Sequence, residues 1–109
     1  MAFYKERDGE IEIVFPVSDV DALTGAEVKD YLCKISGEIK YAIVNFSRVT
    51  YLNSSGLREL IQLLKFLQDN GKKLYLTNLS ENIKKIFVNT NLSKIFSIYQ
   101  TDEEVKRSL

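Results

Sequence analysis

The chain has 109 residues, 45% of them apolar and 28% charged, with 15 basic and 15 acidic side chains and a formal net charge of zero. That length suits one domain over residues 1–109, and the composition is that of a folded globular chain rather than a disordered one. The balanced charge offers no basic excess for a direct nucleic-acid or polybasic membrane surface, and the absence of histidine excludes a Ser-His-Asp or Cys-His hydrolase built from this chain alone.

Residues 2–7 alternate moderately, and Asp8-Gly9 is a hairpin turn signal. Ile11, Ile13 and Phe15 then alternate with Glu12 and Val14, so residues 10–17 read as a second strand. A β-hairpin is expected to open the protein, with Pro16, which lacks an N–H, at a strand end or sheet edge. The charged segment Met1 to Glu10 lacks the apolar centre of a signal peptide, and no apolar run approaches the ~20 residues that span a bilayer. A cytoplasmic protein without membrane attachment is the expectation. Asp21 and Thr24 are both candidate N-caps for the next helix, Thr24 with Glu27 at capping-box spacing. Val28, Tyr31, Leu32 and Ile35 follow at helical spacing, and the helix should end near Ser36-Gly37 with the glycine left-handed. The single cysteine, Cys33, reads as a core or boundary residue of that helix; alone it forms neither an internal disulfide nor a multi-thiolate metal site.

Tyr41-Ala42-Ile43-Val44-Asn45-Phe46 is nearly unbroken apolar, too short for an ordinary helix and rich in β-formers, which predicts a central strand covered on both faces. A short polar turn, Asn53-Ser54-Ser55-Gly56, precedes Leu57, Leu60, Ile61, Leu64 and Leu67, an apolar stripe widened by Leu63 and Phe66. Asp69-Asn70-Gly71 should end that helix. Leu74 to Leu76 reads as a short strand, and Ser80 as the cap of a helix carrying Ile83, Ile86 and Phe87 on one face and ending at Asn89-Thr90-Asn91. Ile95 to Tyr99 reads as a last strand, and Thr101 with Glu104 as the capping box of a C-terminal helix. The order β-β-α-β-α-β-α-β-α implies an α/β fold with parallel crossovers: a small, mixed, mostly parallel β-sheet flanked by about four helices, opened by the hairpin.

The chemistry concentrates in the polar turn. Ser54 and Ser55 fall at the C-terminal end of a central strand and at a helix start, where unpaired N–H groups and the helix dipole favour an anion. A phosphate on Ser55 would be tolerated by the fold yet add nearly two negative charges to the surface and repel a partner docked there. The plainer reading makes Asn53, Ser54 and Ser55 capping residues and Gly56 a packing glycine. No Gly-rich phosphate loop is present. Asp19 and Asp21 could together bind a cation but read as turn and cap residues, so no metal and no cofactor is expected. Lys72-Lys73 and Lys84-Lys85 read as solvated faces, with an acidic partner as the alternative. No acid–base pair stands out, and no enzyme is expected.

Val44-Asn45-Phe46-Ser47-Arg48-Val49-Thr50-Tyr51-Leu52-Asn53-Ser54-Ser55-Gly56-Leu57 resembles the apolar strand, short turn and Asp-Ser-Ser-Gly-Leu of the STAS domain family, found in bacterial anti-sigma factor antagonists and sulfate transporter tails. Ser18-Asp19-Val20-Asp21 with Ala26-Glu27-Val28, and Asn91 to Tyr99, resemble its earlier and closing segments. The resemblance covers essentially the whole chain and is nearer the stand-alone antagonists than a transporter tail. It implies partner switching. The unphosphorylated protein would bind an anti-sigma factor that is also a serine kinase, with ATP held by that partner. Phosphorylation would release the complex and a serine phosphatase would reset it. The matching acceptor is Ser55, and the matching partner-binding positions are Asp21, Asn53, Ser54, Ser55, Gly56 and Leu57. Asn53 stands where the family usually has aspartate, Ser18 where it has glycine and Asn45 where it often has aspartate. The alternative implied is a STAS interaction or ligand-sensing scaffold without phosphorylation.

Overall fold

The computed structural model describes residues 3–109. Strands β1 (Phe3–Asp8) and β2 (Ile11–Pro16) form an antiparallel hairpin in which Asp8 faces Ile11. Gly9, the first of its two loop residues, has φ 60°, a conformation that suits the right-handed twist of the paired strands and that glycine adopts without a Cβ penalty. Residue 2 of the expected first strand lies outside the described residues. The chain continues through β3 (Ser18–Val20), α1 (Ala22–Ile35), β4 (Tyr41–Asn45), β5 (Val49–Leu52), α2 (Ser54–Asp69), β6 (Lys73–Thr77), α3 (Glu81–Asn89), β7 (Ser97–Tyr99) and α4 (Asp102–Ser108). Short 3-10 turns at Ser36–Glu38 and Leu92–Lys94 connect α1 to β4 and α3 to β7.

The main sheet has the order β1-β2-β4-β6-β7 and is parallel except at the hairpin. β4 is central, as its apolar run requires. Ala42 and Val44 point to one face with Val14, Leu74 and Leu76, and there α1, α2 and α3 supply Val28, Leu32, Leu60, Leu63, Leu67, Ile83 and Phe87. Ile43 points to the other face with Ile11, Ile13 and Tyr75, where the seven-residue α4 supplies Val105. One face is thus a deep three-helix core and the other a thin one.

A second sheet, β3 paired parallel with β5, was absent from the sequence-based order. Ser18–Val20 has a single apolar residue, and β5 falls between the Tyr41–Phe46 run and the Asn53–Gly56 turn, where no element was expected; neither carries a strand period of its own. They form because each pairs with the other, with Val20, Val49 and Leu52 closing one end of the helix-side core. Two further differences are local. Gly37 is not left-handed: Ser36 closes α1 in right-handed conformation, its N–H and hydroxyl both donate to the Cys33 carbonyl, and a 3-10 turn follows. β7 begins at Ser97 rather than Ile95, because Ile95 and Phe96 complete the preceding 3-10 turn by donating to Leu92.

Candidate functional site

Parallel pairing brings the ends of β3 and β5 level, with Val20 opposite Leu52. The residue after each strand is a helix cap. Asp21 accepts a hydrogen bond from the Thr24 N–H at 2.9 Å and starts α1; Asn53 accepts one from the Gly56 N–H at 2.8 Å and starts α2. Of the two caps the sequence left open, Asp21 fills the role and Thr24 lies inside the helix. The Thr24 N–H also holds the Asp21 carboxyl below the ordinary aspartate range. Asn53 is tied back to β3 by its own N–H, which donates to the Val20 carbonyl at 3.2 Å. Two helix N-termini therefore stand side by side at one end of the molecule.

Glycine makes this approach possible. A Cβ on Gly56 would lie 2.6 Å from the Val20 carbonyl carbon and closer still to its oxygen. A Cβ on Gly25 would lie 2.9 Å from the Glu59 Cβ and 3.3 Å from the Gly56 Cα. Close-packed interiors do not hold contacts under 3 Å between such atoms, so both positions must lack a side chain for α1, α2 and β3 to meet. Lys29 on α1 completes the junction, reaching both Glu59 and Gln62 of α2 at 2.9 Å.

Ser54 and Ser55 occupy the first two positions of α2. Ser54 is exposed and Ser55 half-buried. With the Gly56 N–H taken by the Asn53 side chain and the Leu57 N–H by its carbonyl, the Ser54 and Ser55 amides have no protein acceptor among the described residues. They point out of the helix start, where the dipole favours negative charge. A phosphate carried by Ser55 would therefore meet free donors rather than a buried apolar wall.

The structure brings Asp21, Asn53, Ser54 and Ser55 to one surface. Gly56 and Leu57 are buried, so they shape that surface from beneath. Asp19 is exposed on β3 opposite Tyr51, and among the described residues no three acidic or cysteine side chains gather as metal ligands. Sequence reasoning missed the apolar part of the site. Leu23, in the first turn of α1, is 70% exposed, and Tyr51 on β5 is 57% exposed. The available signal for Leu23 was its position off the Val28–Leu32–Ile35 stripe; for Tyr51 there was none until β5 was known.

Sequence reasoning also missed a polar knot at the same ends of the main-sheet strands. The Asn45 amide donates to the Asp102 carboxylate at 2.9 Å and to the Asn78 side-chain oxygen at 3.2 Å, while the Thr77 hydroxyl donates to Asp102 at 2.5 Å. The Asn45 oxygen accepts from the Ser47 N–H at 2.8 Å and turns the chain from β4 towards β5.

A mixed, mostly parallel sheet with its main helices on one face, and a hydroxyl-bearing helix start beside the second sheet, defines an α/β domain of a kind shared with known relatives. The chain belongs to the STAS domain family, whose model matches residues 3–105. It is 31% identical over 104 residues to the anti-sigma-B factor antagonist of Listeria monocytogenes, covering 93% of this chain and 90% of that one. It is 30% identical over 86 residues to the protein of that name from Staphylococcus epidermidis, covering 78% and 80%. In fold it is similar to the Bacillus cell fate determinant SpoIIAA, solved in its phosphorylated form (TM-score 0.76, 20% identity, 99% of this chain and 100% of that one). It is also similar to an anti-sigma factor antagonist from Mycobacterium paratuberculosis (TM-score 0.82, 17% identity, 97% and 91%).

Proposed function

We propose that this protein is an anti-sigma factor antagonist, a cytoplasmic binding protein rather than an enzyme, whose release from its partner is driven by phosphorylation of Ser55. The observation that carries the reading is the helix start itself: a half-buried Ser55 beside exposed Ser54, with two amides lacking protein acceptors, next to a second capped helix N-terminus. The relatives named as anti-sigma-B factor antagonists support it. The partner would be an anti-sigma factor with serine kinase activity, docking over Asp21, Asn53, Ser54 and Ser55, with Gly56 and Leu57 as support and Leu23 and Tyr51 as apolar contacts. Its ATP would supply the γ-phosphoryl group. The Ser55 Oγ takes the phosphoryl group, ADP leaves, and the hydroxyl proton goes to a base on the kinase. Two added charges at the docking surface then repel the partner without unfolding the helix. A serine phosphatase would restore the hydroxyl.

The test pairs chemistry with binding. Incubation with ATP and the anti-sigma kinase should add one phosphate that maps to Ser55 and disappears in Ser55→Ala. Ser55→Ala should hold the partner whether or not ATP is added, and Ser55→Asp should bind it at least about tenfold more weakly. Equal binding by the two variants sinks the switch. One observation favours a second reading: the cap is the uncharged Asn53. A STAS scaffold that binds its partner irrespective of kinase and ATP would show complex formation and no added mass.

A further inference from the structure

The two ends of the main sheet differ. β6 has five residues and β7 only three, and β7 pairs only with Tyr75, Leu76 and Thr77. Lys73 and Leu74 therefore have β4 on one side and no strand on the other. The gap is a cleft of about 560 Å³, within the size range of small-molecule sites. Its apolar wall comes from Leu64 of α2, Leu74 and the half-exposed Ile95, with Tyr75 and Tyr99 at the sheet side. The lining also includes the polar residues Lys72, Lys73, Gln68 and Ser97. No carboxylate lines it, and among the described residues neither lysine makes an ion pair. Five of the other thirteen cationic side chains, Arg7, Lys29, Lys40, Lys84 and Lys106, face an acidic side chain, so Lys72 and Lys73 are set apart by their place at the cleft and not by lacking an ion pair.

We propose that this cleft binds a small organic anion, an aromatic or aliphatic body carrying one carboxylate or phosphate group. The two lysines supply the charge match, Gln68 and Ser97 the hydrogen-bonding side chains, and Ile95 with the tyrosine rings the apolar cover. Ser55 and Gln68 stand at opposite ends of α2, roughly 20 Å apart along its axis. The anion therefore occupies a different surface from the partner, and the proposal stands or falls independently of phosphorylation at Ser55.

The test is an amide-shift titration of the full chain with phenyl phosphate and with benzoate, using inorganic phosphate and benzyl alcohol as the separated halves. The intact anions should shift the amides of residues 72–74 and 97 with dissociation constants at or below about 1 mM, and each half alone should bind at least about tenfold more weakly. Stronger response to phenyl phosphate or to benzoate identifies the head group. The double variant Lys72→Glu/Lys73→Glu, both surface positions, should keep the melting temperature and lose the shifts. Ile95→Ala should weaken the intact anions and leave inorganic phosphate unchanged. Inorganic phosphate binding as tightly as phenyl phosphate, shifts that survive the double variant, or no response to either anion would each overturn the proposal.

Discussion

Gly56 shows how one residue fixes the site. It is buried at the first turn of α2 with no room for a methyl group, because the Val20 carbonyl fills the space. Gly56→Ala must push α2 away from β3, and overpacking of this kind costs about 1–3 kcal/mol. Gly37 is the opposite case: it is exposed, lacks a positive φ, and a methyl group added to it would meet nothing within 4 Å. Gly37→Ala should instead stabilise by about 0.4–1 kcal/mol by restricting the unfolded chain. Urea denaturation of both variants checks the pair, and a loss in Gly37→Ala matching that in Gly56→Ala would show that close packing at Val20 is not the cause. The glycine was visible in the sequence beside its serines. Its packing role was readable too, but the neighbour it packs against was not, since Val20 lies far away in the chain and meets Gly56 only through β3.

At the scale of elements, α4 is the least self-sufficient. Seven residues are too few to hold a helix in water, so it exists by docking. Three contacts hold it: Val105 seated on Ile43 and Tyr75, Lys106 paired with Asp8 at 2.8 Å, and Asp102 accepting from Thr77 and Asn45. Thr77 and Asn45 are themselves buried and depend on that carboxylate. Asp102→Ala should cost about 1–3 kcal/mol by leaving the Thr77 hydroxyl without its acceptor and the Asn45 amide with Asn78 alone. Amide hydrogen exchange should then quicken in residues 102–109 before the rest of the protein; unchanged protection there would mean that Val105 and the Lys106–Asp8 pair suffice to hold the helix. Capping chemistry made this helix readable from Thr101 and Glu104, as it did the helices begun by Asn53 and Ser80. β3 and β5 were unreadable because a strand of three or four residues takes its stability from its neighbour. With them went the view of Asp21 and Asn53 as adjacent caps, and of Leu23 and Tyr51 as their exposed surroundings.

At the scale of the molecule, the hairpin, the sheet and α1 are joined through one buried acid. Glu12 is only 2% exposed, on the helix face of β2, and its carboxylate accepts from the Arg7 guanidinium of β1 and the Tyr31 hydroxyl of α1. Strand alternation did place Glu12 opposite Ile11 and Ile13. It could not say that the opposite face is covered too, because the cover comes from α1. The cluster has a pH signature. Burial, then the hydrogen bond to Glu12, pushes the Tyr31 hydroxyl up to about 12, above its ordinary value of 10.0. The folded state therefore favours neutral Tyr31 more strongly than the unfolded chain does. This contribution is fully present below the unfolded value of about 10 and fades as pH rises towards 12. Tyr31→Phe keeps the ring against Phe3 but removes the donor, so it should lower stability at neutral pH by about 1–3 kcal/mol. It should also flatten the loss of stability between pH 10 and 12 that the unsubstituted protein shows. Chemical denaturation at a series of alkaline pH values reads both effects. A variant whose stability falls as steeply as the parent's over that interval would assign the alkaline loss to the other groups raised above their ordinary values, Tyr75, Lys29 and Lys106, and leave Tyr31 as a packing residue between the hairpin and α1.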